Sequence, residues 1–209
     1  RSAMDSLPRT DDPDLRRQLT EIAAHDIRRI DRLVTDISDA SRVDAEISRA
    51  TFETFDLAEL LQNLVAARET RDENSGHAVM LSGAERGYFR MHGVPSRIER
   101  LLDNLLDNAV SFSPPGAPVE VAMSGDAHEV QVAVSDHGPG ISPSEREKVF
   151  ARFHSSRPDS EQFGNHSGLG LAIARTIAQA HEGGLVAESR PDGEAGACLI
   201  LTLPLADEL

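Results

Sequence analysis

Two asparagines four residues apart, in Asn104-Leu105-Leu106-Asp107-Asn108, share one face of a helical pattern whose core face carries Leu101 and Leu105. An amide carbonyl is a hard oxygen donor that suits Mg²⁺, an ion that keeps several waters and takes further ligands from phosphates. Taken alone, the pair is better explained as two exposed polar positions. A second group, Asp136-His137-Gly138-Pro139-Gly140-Ile141, follows a strand pattern directly. Its glycines let the backbone turn sharply and approach a ligand, and its Asp can accept a hydrogen bond from an exocyclic amine such as N6 of adenine. On its own this spacing is equally that of a plain loop. The third group, Gly168-Leu169-Gly170-Leu171-Ala172-Ile173-Ala174, opens an apolar helical pattern. Backbone N–H groups and the dipole at such a start attract anions, and the two glycines remove side chains that would hold a phosphate away. An ordinary helix start has the same look.

The elements that must position these groups follow from the periods on either side of about Thr51. Asp12-Pro13 reads as an N-cap with proline at the first helical position. No Gly or Pro follows until after Arg49, and Leu15, Leu19, Ile22, Ile30, Leu33, Ile37 and Ile47 recur at helical steps. This predicts one long amphipathic helix that pairs in a bundle, with residues 1–7 as the tail of a preceding antiparallel helix. Beyond Thr51, helix and strand alternate. Asp56 with Glu59 predicts a capping box for a helix reaching about Arg71. Val79–Leu81, Tyr88–Met91, Val119–Met123, Val130–Ser135, Val186–Ser189 and Cys198–Leu203 read as strands. Pro95–Phe112 and Gly168–Gln179 read as helices, and Ser142-Pro143-Ser144-Glu145 as a capping box opening a short helix through Phe150. The polar stretch between Phe153 and Gly168 has the length of a functional loop, often a lid.

Composition narrows the function classes. With 21 Lys and Arg against 35 Asp and Glu, the chain carries a net charge of −14, which argues against a nucleic-acid partner or an anionic membrane. A nucleotide remains compatible, because backbone N–H groups and a metal can hold its phosphates. Cys198 stands alone, so neither a disulfide framework nor paired thiolates for zinc is expected. No apolar run reaches the ~20 residues of a spanning helix. The chain starts at Arg1 within a helical pattern and without Met, and reads as a fragment of something longer.

The three groups, in this order and in these contexts, are far more specific than any one. They resemble the N, G1 and G2 boxes of the histidine-kinase and Hsp90-like ATPase superfamily. Val149-Phe150-Ala151-Arg152-Phe153 is similar to the F box of sensor histidine kinases, and Ile37–Glu46 to the end of their second dimerisation helix. Phe112-Ser113-Pro114 and Phe163-Gly164-Asn165-His166-Ser167-Gly168 look most like the ChvG type of alphaproteobacterial sensor kinase.

The resemblance implies an α+β fold, the two-layer α/β sandwich of the Bergerat type, preceded by a long dimerisation helix. Residues 1–52 would be a remnant of the helical dimerisation domain and 53–209 the catalytic ATP-binding domain. Asn108 would coordinate Mg²⁺, Asn104 support metal or phosphates, and Asp136 read adenine. Gly138, Gly140, Gly168, Leu169 and Gly170 would shape the pocket, and Lys148, Arg152 and Arg157 are candidates to reach the phosphates. ATP and magnesium are thus the expected ligands. Expected partners are a response-regulator receiver domain and a second copy in a full-length homodimer, in the cytoplasmic part of an inner-membrane sensor.

Departures from the family pattern carry information too. Ser111 stands where Lys or Arg is frequent, so a phosphate contact is missing or comes from Lys148. The last glycine box keeps Gly196 but has Ala197 and Leu199 where Thr and Phe are usual, which should loosen a turn without abolishing binding. Relatives that hydrolyse ATP place a Glu one turn before the metal-binding Asn. Asn104 cannot take a proton, so the site suits transfer over hydrolysis. The acceptor histidine is expected upstream of Arg1. His25-Asp26-Ile27-Arg28 imitates an acceptor box, but Ile30 replaces its proline and His25 falls in the second helix. The remaining histidines show no metal-ligand spacing and are expected at surface or loop positions. Three functions follow: a kinase donor site lacking its acceptor, a nucleotide-binding or dimerisation module without transfer, and an ATP hydrolase, against which Asn104 argues.

Overall fold

The computed structural model describes residues 51–206 apart from 72, 75 and 155–167, together with Arg17 and Thr20. The predicted long helix, the His25 box, Arg157 and the 163–167 motif lie outside the described residues. The elements run β1 (Glu53–Asp56), α1 (Leu57–Thr70), β2 (Val79–Ser82), β3 (Arg90–Gly93), α2 (Pro95–Phe112), β4 (Val119–Gly125) and β5 (Glu129–Ser135). After a 3₁₀ turn (Lys148–Phe150) come α3 (Gly170–Ala180), β6 (Gly184–Ser189) and β7 (Ala197–Pro204). Five strands form one sheet in the order β2-β4-β5-β7-β6, parallel between β2 and β4 and antiparallel elsewhere.

Strand alternation accounts for the two layers. Val121 faces Val134, Val134 faces Leu199, and Leu199 faces Ala187 across the ladders. These residues are buried, with Val119, Val132, Leu201 and Leu185 extending the same apolar side. The neighbours on the opposite side, Glu120, Gln131 and Val186, are half-buried or exposed. The helices cover the apolar face. In α2, Ile98, Leu101, Leu102, Leu105, Leu106 and Ala109 form a buried stripe at helical steps, which leaves Asn104 and Asn108 half-buried at its margin. The helix stops where Pro114 forces Ser113 into an extended conformation, with ψ of 138°.

Several local expectations need correction. The strand expected at Tyr88–Met91 lies at Arg90–Gly93, because it pairs with β1, a strand the sequence did not announce, in the register Asp56 to Arg90. Tyr88 is left exposed. Asp56 caps α1 as expected, its Oδ1 accepting from the N–H groups of Ala58 at 2.9 Å and Glu59 at 3.3 Å. Glu59 does not complete a box, since its carboxylate accepts from Arg86 at 3.4 Å. The helix expected from Ser142 is instead a run of turns ending in one 3₁₀ turn. There Ser142 Oγ lies 3.1 Å from Ser144 Oγ, and Glu145 pairs with Lys148 at 2.8 Å and His154 at 3.1 Å.

Two histidines sit at the loop positions expected of them but are buried. His77 Nδ1 lies 2.7 Å from the Ala117 carbonyl. His181 Nδ1 donates to the Ile177 carbonyl at 2.8 Å, and its Nε2 accepts from the N–H of Val94 at 3.1 Å. The end of α3 thereby caps the start of α2, which has no side-chain cap of its own. Phe52 stacks on the same imidazole, with ring centres 5.3 Å apart. Burial pushes the His181 pKa below its ordinary value, so the folded chain prefers the neutral ring. The unfolded chain binds the proton first. This contribution is therefore complete above about pH 6.5 and is lost as pH falls toward the lower folded value. Urea midpoints measured across that range should fall on acidification more steeply for the wild type than for His181→Gln.

Candidate functional site

The asparagine face of α2 meets the start of α3. A Cβ placed on Gly170 would lie 3.4 Å from Asn104 Oδ1, so any larger residue there would crowd the amide. Asn104 Nδ2 is buried and has no hydrogen-bond partner among the described residues. A buried unsatisfied donor on a side chain that adjoins a helix start suits an acceptor that arrives with a ligand. Leu169, the N-cap residue of α3, supplies no side-chain cap, and backbone N–H groups at a helix start suit phosphate oxygens. Gly168, at φ +68°, makes the turn into α3, where a side chain would touch the backbone of Phe153 and His154 at 3.0 Å. Leu169 is buried between the two glycines.

Asp136 sits at the end of β5 and is buried. Its Oδ1 accepts from the N–H groups of Gly138 at 2.8 Å and Ala197 at 3.1 Å. Among the described residues both donors fall on that one oxygen, which leaves Oδ2 for a ligand. Burial pushes the carboxyl above the usual range, opposed by those two N–H groups and by the nearby Arg190. The glycines have steric reasons. A side chain at Gly138 would lie 2.7 Å from the Phe112 carbonyl, and one at Gly140, at φ +77°, 2.9 Å from the Gly196 carbonyl. Ser113 Oγ accepts from the N–H of His137 at 3.3 Å and so ties the end of α2 to this turn.

The departing glycine box closes through backbone. Asp136 donates its N–H to the Ala197 carbonyl at 2.9 Å, while Ala197 returns its own N–H to the Asp136 side chain. Gly196, at φ +138°, packs against the Asp136 carbonyl. Cys198 is buried, and burial pushes its thiol pKa up.

The cations are less settled into the site. Lys148 is exposed and held by Glu145, so reaching a phosphate would require it to leave that pair. Arg152 is exposed beside it in the turn that follows the 3₁₀ segment.

Two arginines missed in the sequence organise the site from behind. Arg68, 1% exposed, lies on the buried stripe of α1 after Leu57, Leu61 and Val65. It donates to Asp103, to Asp107 Oδ1 at 2.8 Å and to Asn74 Oδ1 at 3.0 Å. These aspartates immediately precede Asn104 and Asn108. The helical stripe of α1 carried the one available signal, a charged residue at an apolar position. Arg190 follows β6 and is buried beside Asp136, and nothing in the local pattern marks it.

The description "Histidine kinase-, DNA gyrase B-, and HSP90-like ATPase" fits residues 93–207. Sensor protein ChvG of Agrobacterium fabrum is 41% identical, over 99% of this chain and 36% of its own length. Sensor histidine kinase MtrB of Mycobacterium bovis is 36% identical, over 93% of this chain and 33% of its own. The chain thus spans about a third of the length of these curated relatives. Among solved structures, a mycobacterial sensor histidine kinase, MprB, superposes with a TM-score of 0.63 at 29% identity, covering 76% of this chain and 100% of that one. With its α+β sandwich and its asparagine and glycine groups on one side of α2 and α3, the chain belongs to the histidine kinase-, DNA gyrase B- and HSP90-like ATPase family, in its sensor histidine kinase branch.

Proposed function

We propose that residues 53–209 are the phosphoryl-donor domain of a sensor histidine kinase and residues 1–52 belong to its helical dimerisation domain. The domain holds Mg·ATP and presents the γ-phosphate to a histidine supplied from outside it, for relay to a response-regulator aspartate. The observation that carries this reading is Asn104, whose side chain packs against Gly170 at the start of α3 and whose buried Nδ2 has no hydrogen-bond partner among the described residues. An amide there can donate to a phosphate oxygen but cannot act as the general base that hydrolysis needs.

The residues fit the metal as well. Asn108 offers a hard carbonyl oxygen on the same half-buried helix face, and one protein ligand plus phosphates and waters is the usual Mg²⁺ arrangement. When bound, the ion neutralises charge on the phosphates. Asp136 Oδ2 accepts from the adenine amine, while the turns at Gly138, Gly140 and Gly168 let backbone approach the nucleotide. Catalysis then consists of positioning and charge complementarity. In the parent protein this part lies on the cytoplasmic side of the inner membrane and works as a homodimer.

Incubating the chain with γ-labelled ATP and a partner bearing the acceptor histidine tests this reading. Label should pass to the partner, none should accumulate on the chain itself, and phosphate should not be released steadily. Labelling of His25 at a kinase-like rate would contradict the account. Binding without any transfer would establish a nucleotide-sensing module, and steady phosphate release a hydrolase.

A further inference from the structure

Arg190 commits every arm of a buried guanidinium to a single corner of the molecule. Its side chain is 3% exposed. Nη1 donates to the main-chain carbonyl of Asp136 at 3.2 Å, and Nη2 to the Glu120 carboxylate at 3.2 and 3.3 Å. Nε donates to Asp192 at 3.1 and 3.2 Å, and Nη2 reaches Asp192 Oδ2 at 2.5 Å. Glu120 lies on β4 opposite Ser135, the residue before Asp136. A fork held from two sides by carboxylates thus projects its remaining arm onto the backbone of Asp136. On the other flank of that carbonyl stands Gly196, where a Cβ would also come 2.7 Å from Arg190 Cδ.

Burying a charge is costly unless the network gives something that apolar packing would not. Here it fixes the peptide of Asp136 while two N–H groups fix Oδ1, so the direction of Oδ2 is determined from both ends. We propose that Arg190 is the positioning residue that aims the Asp136 carboxylate at the purine, and that it thereby sets the preference for a 6-amino over a 6-oxo base. This rests on the reading of Asp136 as the adenine contact. An ionised Oδ2 accepts from a 6-amino group and repels a 6-oxo group. A protonated carboxyl would donate to the oxo group and lose the distinction.

The groups facing Asp136 are Arg190, His137 and the buried Cys198 thiol, with Glu120 and Asp192 behind the guanidinium. His137 Nδ1 lies 3.0 Å from the Pro118 carbonyl, to which it can donate, so its 3.3 Å approach to Arg190 is a contact between two donors and not a hydrogen bond. Arg190 is consequently the one permanent cation at the carboxyl among the described residues, and it favours the ionised form.

The test is the ratio of affinities for ATP and inosine triphosphate, measured from neutral to acid pH on the whole chain. For Arg190→Met the ratio should fall about tenfold, and its acid limb should move to higher pH. Arg190→Lys, which keeps the charge without the fork, should restore the acid limb more than the neutral-pH ratio. Should Arg190→Met not fold, Asp192→Asn and Glu120→Gln loosen the guanidinium from its exposed side and should lower the ratio in the same direction by less. A stability loss with ratio and acid limb both unchanged would make Arg190 purely structural and overturn the proposal. Failure of the underlying reading is distinguishable, because Asp136→Asn would then leave the ratio at its wild-type value.

Discussion

Gly196→Ala is expected to weaken ATP binding by at least about tenfold, a loss of about 1.4 kcal/mol, although position 196 need not touch the nucleotide. The residue adopts φ of +138°, a conformation L side chains rarely take. A Cβ there would overlap the carbonyl oxygen of Asp136 and press on Arg190 Cδ. Neither neighbour can yield cheaply: the carbonyl is backbone, and the guanidinium is tied to two carboxylates. Relief must come from moving the 193–197 turn, which supplies the Ala197 N–H to Asp136 Oδ1 and seats Gly140. Strain of this kind costs about 1–3 kcal/mol, so denaturant stability should fall along with affinity. Gly193→Ala is the control. Its φ of +77° is also left-handed, but a Cβ there meets nothing within 4 Å. Calorimetric titration of both variants should show the affinity loss at 196 alone.

Arg68→Met should cost about 3 kcal/mol of folding stability, toward the lower end for breaking a buried ion pair. The guanidinium is 1% exposed, while its partners Asp103 and Asp107 are 42% and 36% exposed and retain some water. Without it, two carboxylates four residues apart on α2 repel each other and Asn74 Oδ1 loses its donor. Apolar packing between α1 and α2 cannot replace that junction, because methionine fills the volume and leaves the charges. Urea unfolding should show a lower midpoint at unchanged slope. Asp103→Asn should cost less, since Asp107 still neutralises the arginine.

How far the sequence could be read depended on whether a feature was local. The stripe of α2, its Pro95 start and its Ser113-Pro114 stop lie within one continuous segment, and the structure keeps them. The Asp56 cap and the glycine turns are local in the same sense. Strand β1 was not readable, because four residues with no alternation become a strand only by pairing with β3, a distant segment that sets Asp56 against Arg90 and Glu53 against Gly93. The turn through Lys148 carries the composition of a helix start, but Glu145 pairs its carboxylate with the side chains of Lys148 and His154. Arg190 and Arg68 act across 54 and 35 to 39 residues, where a single sequence holds no pairing information. The site's chemistry was legible because it rests on residue types, and the framework that aims it was not.

Equilibrium binding of ATP, with and without magnesium, to the wild type, Asn108→Asp and Asp136→Asn tests the donor-site account most directly. The wild type should bind ATP more tightly when magnesium is present. Asn108→Asp should weaken that gain, and Asp136→Asn should weaken binding with or without the metal, each by about tenfold or more. Wild-type affinity in both variants would contradict the account.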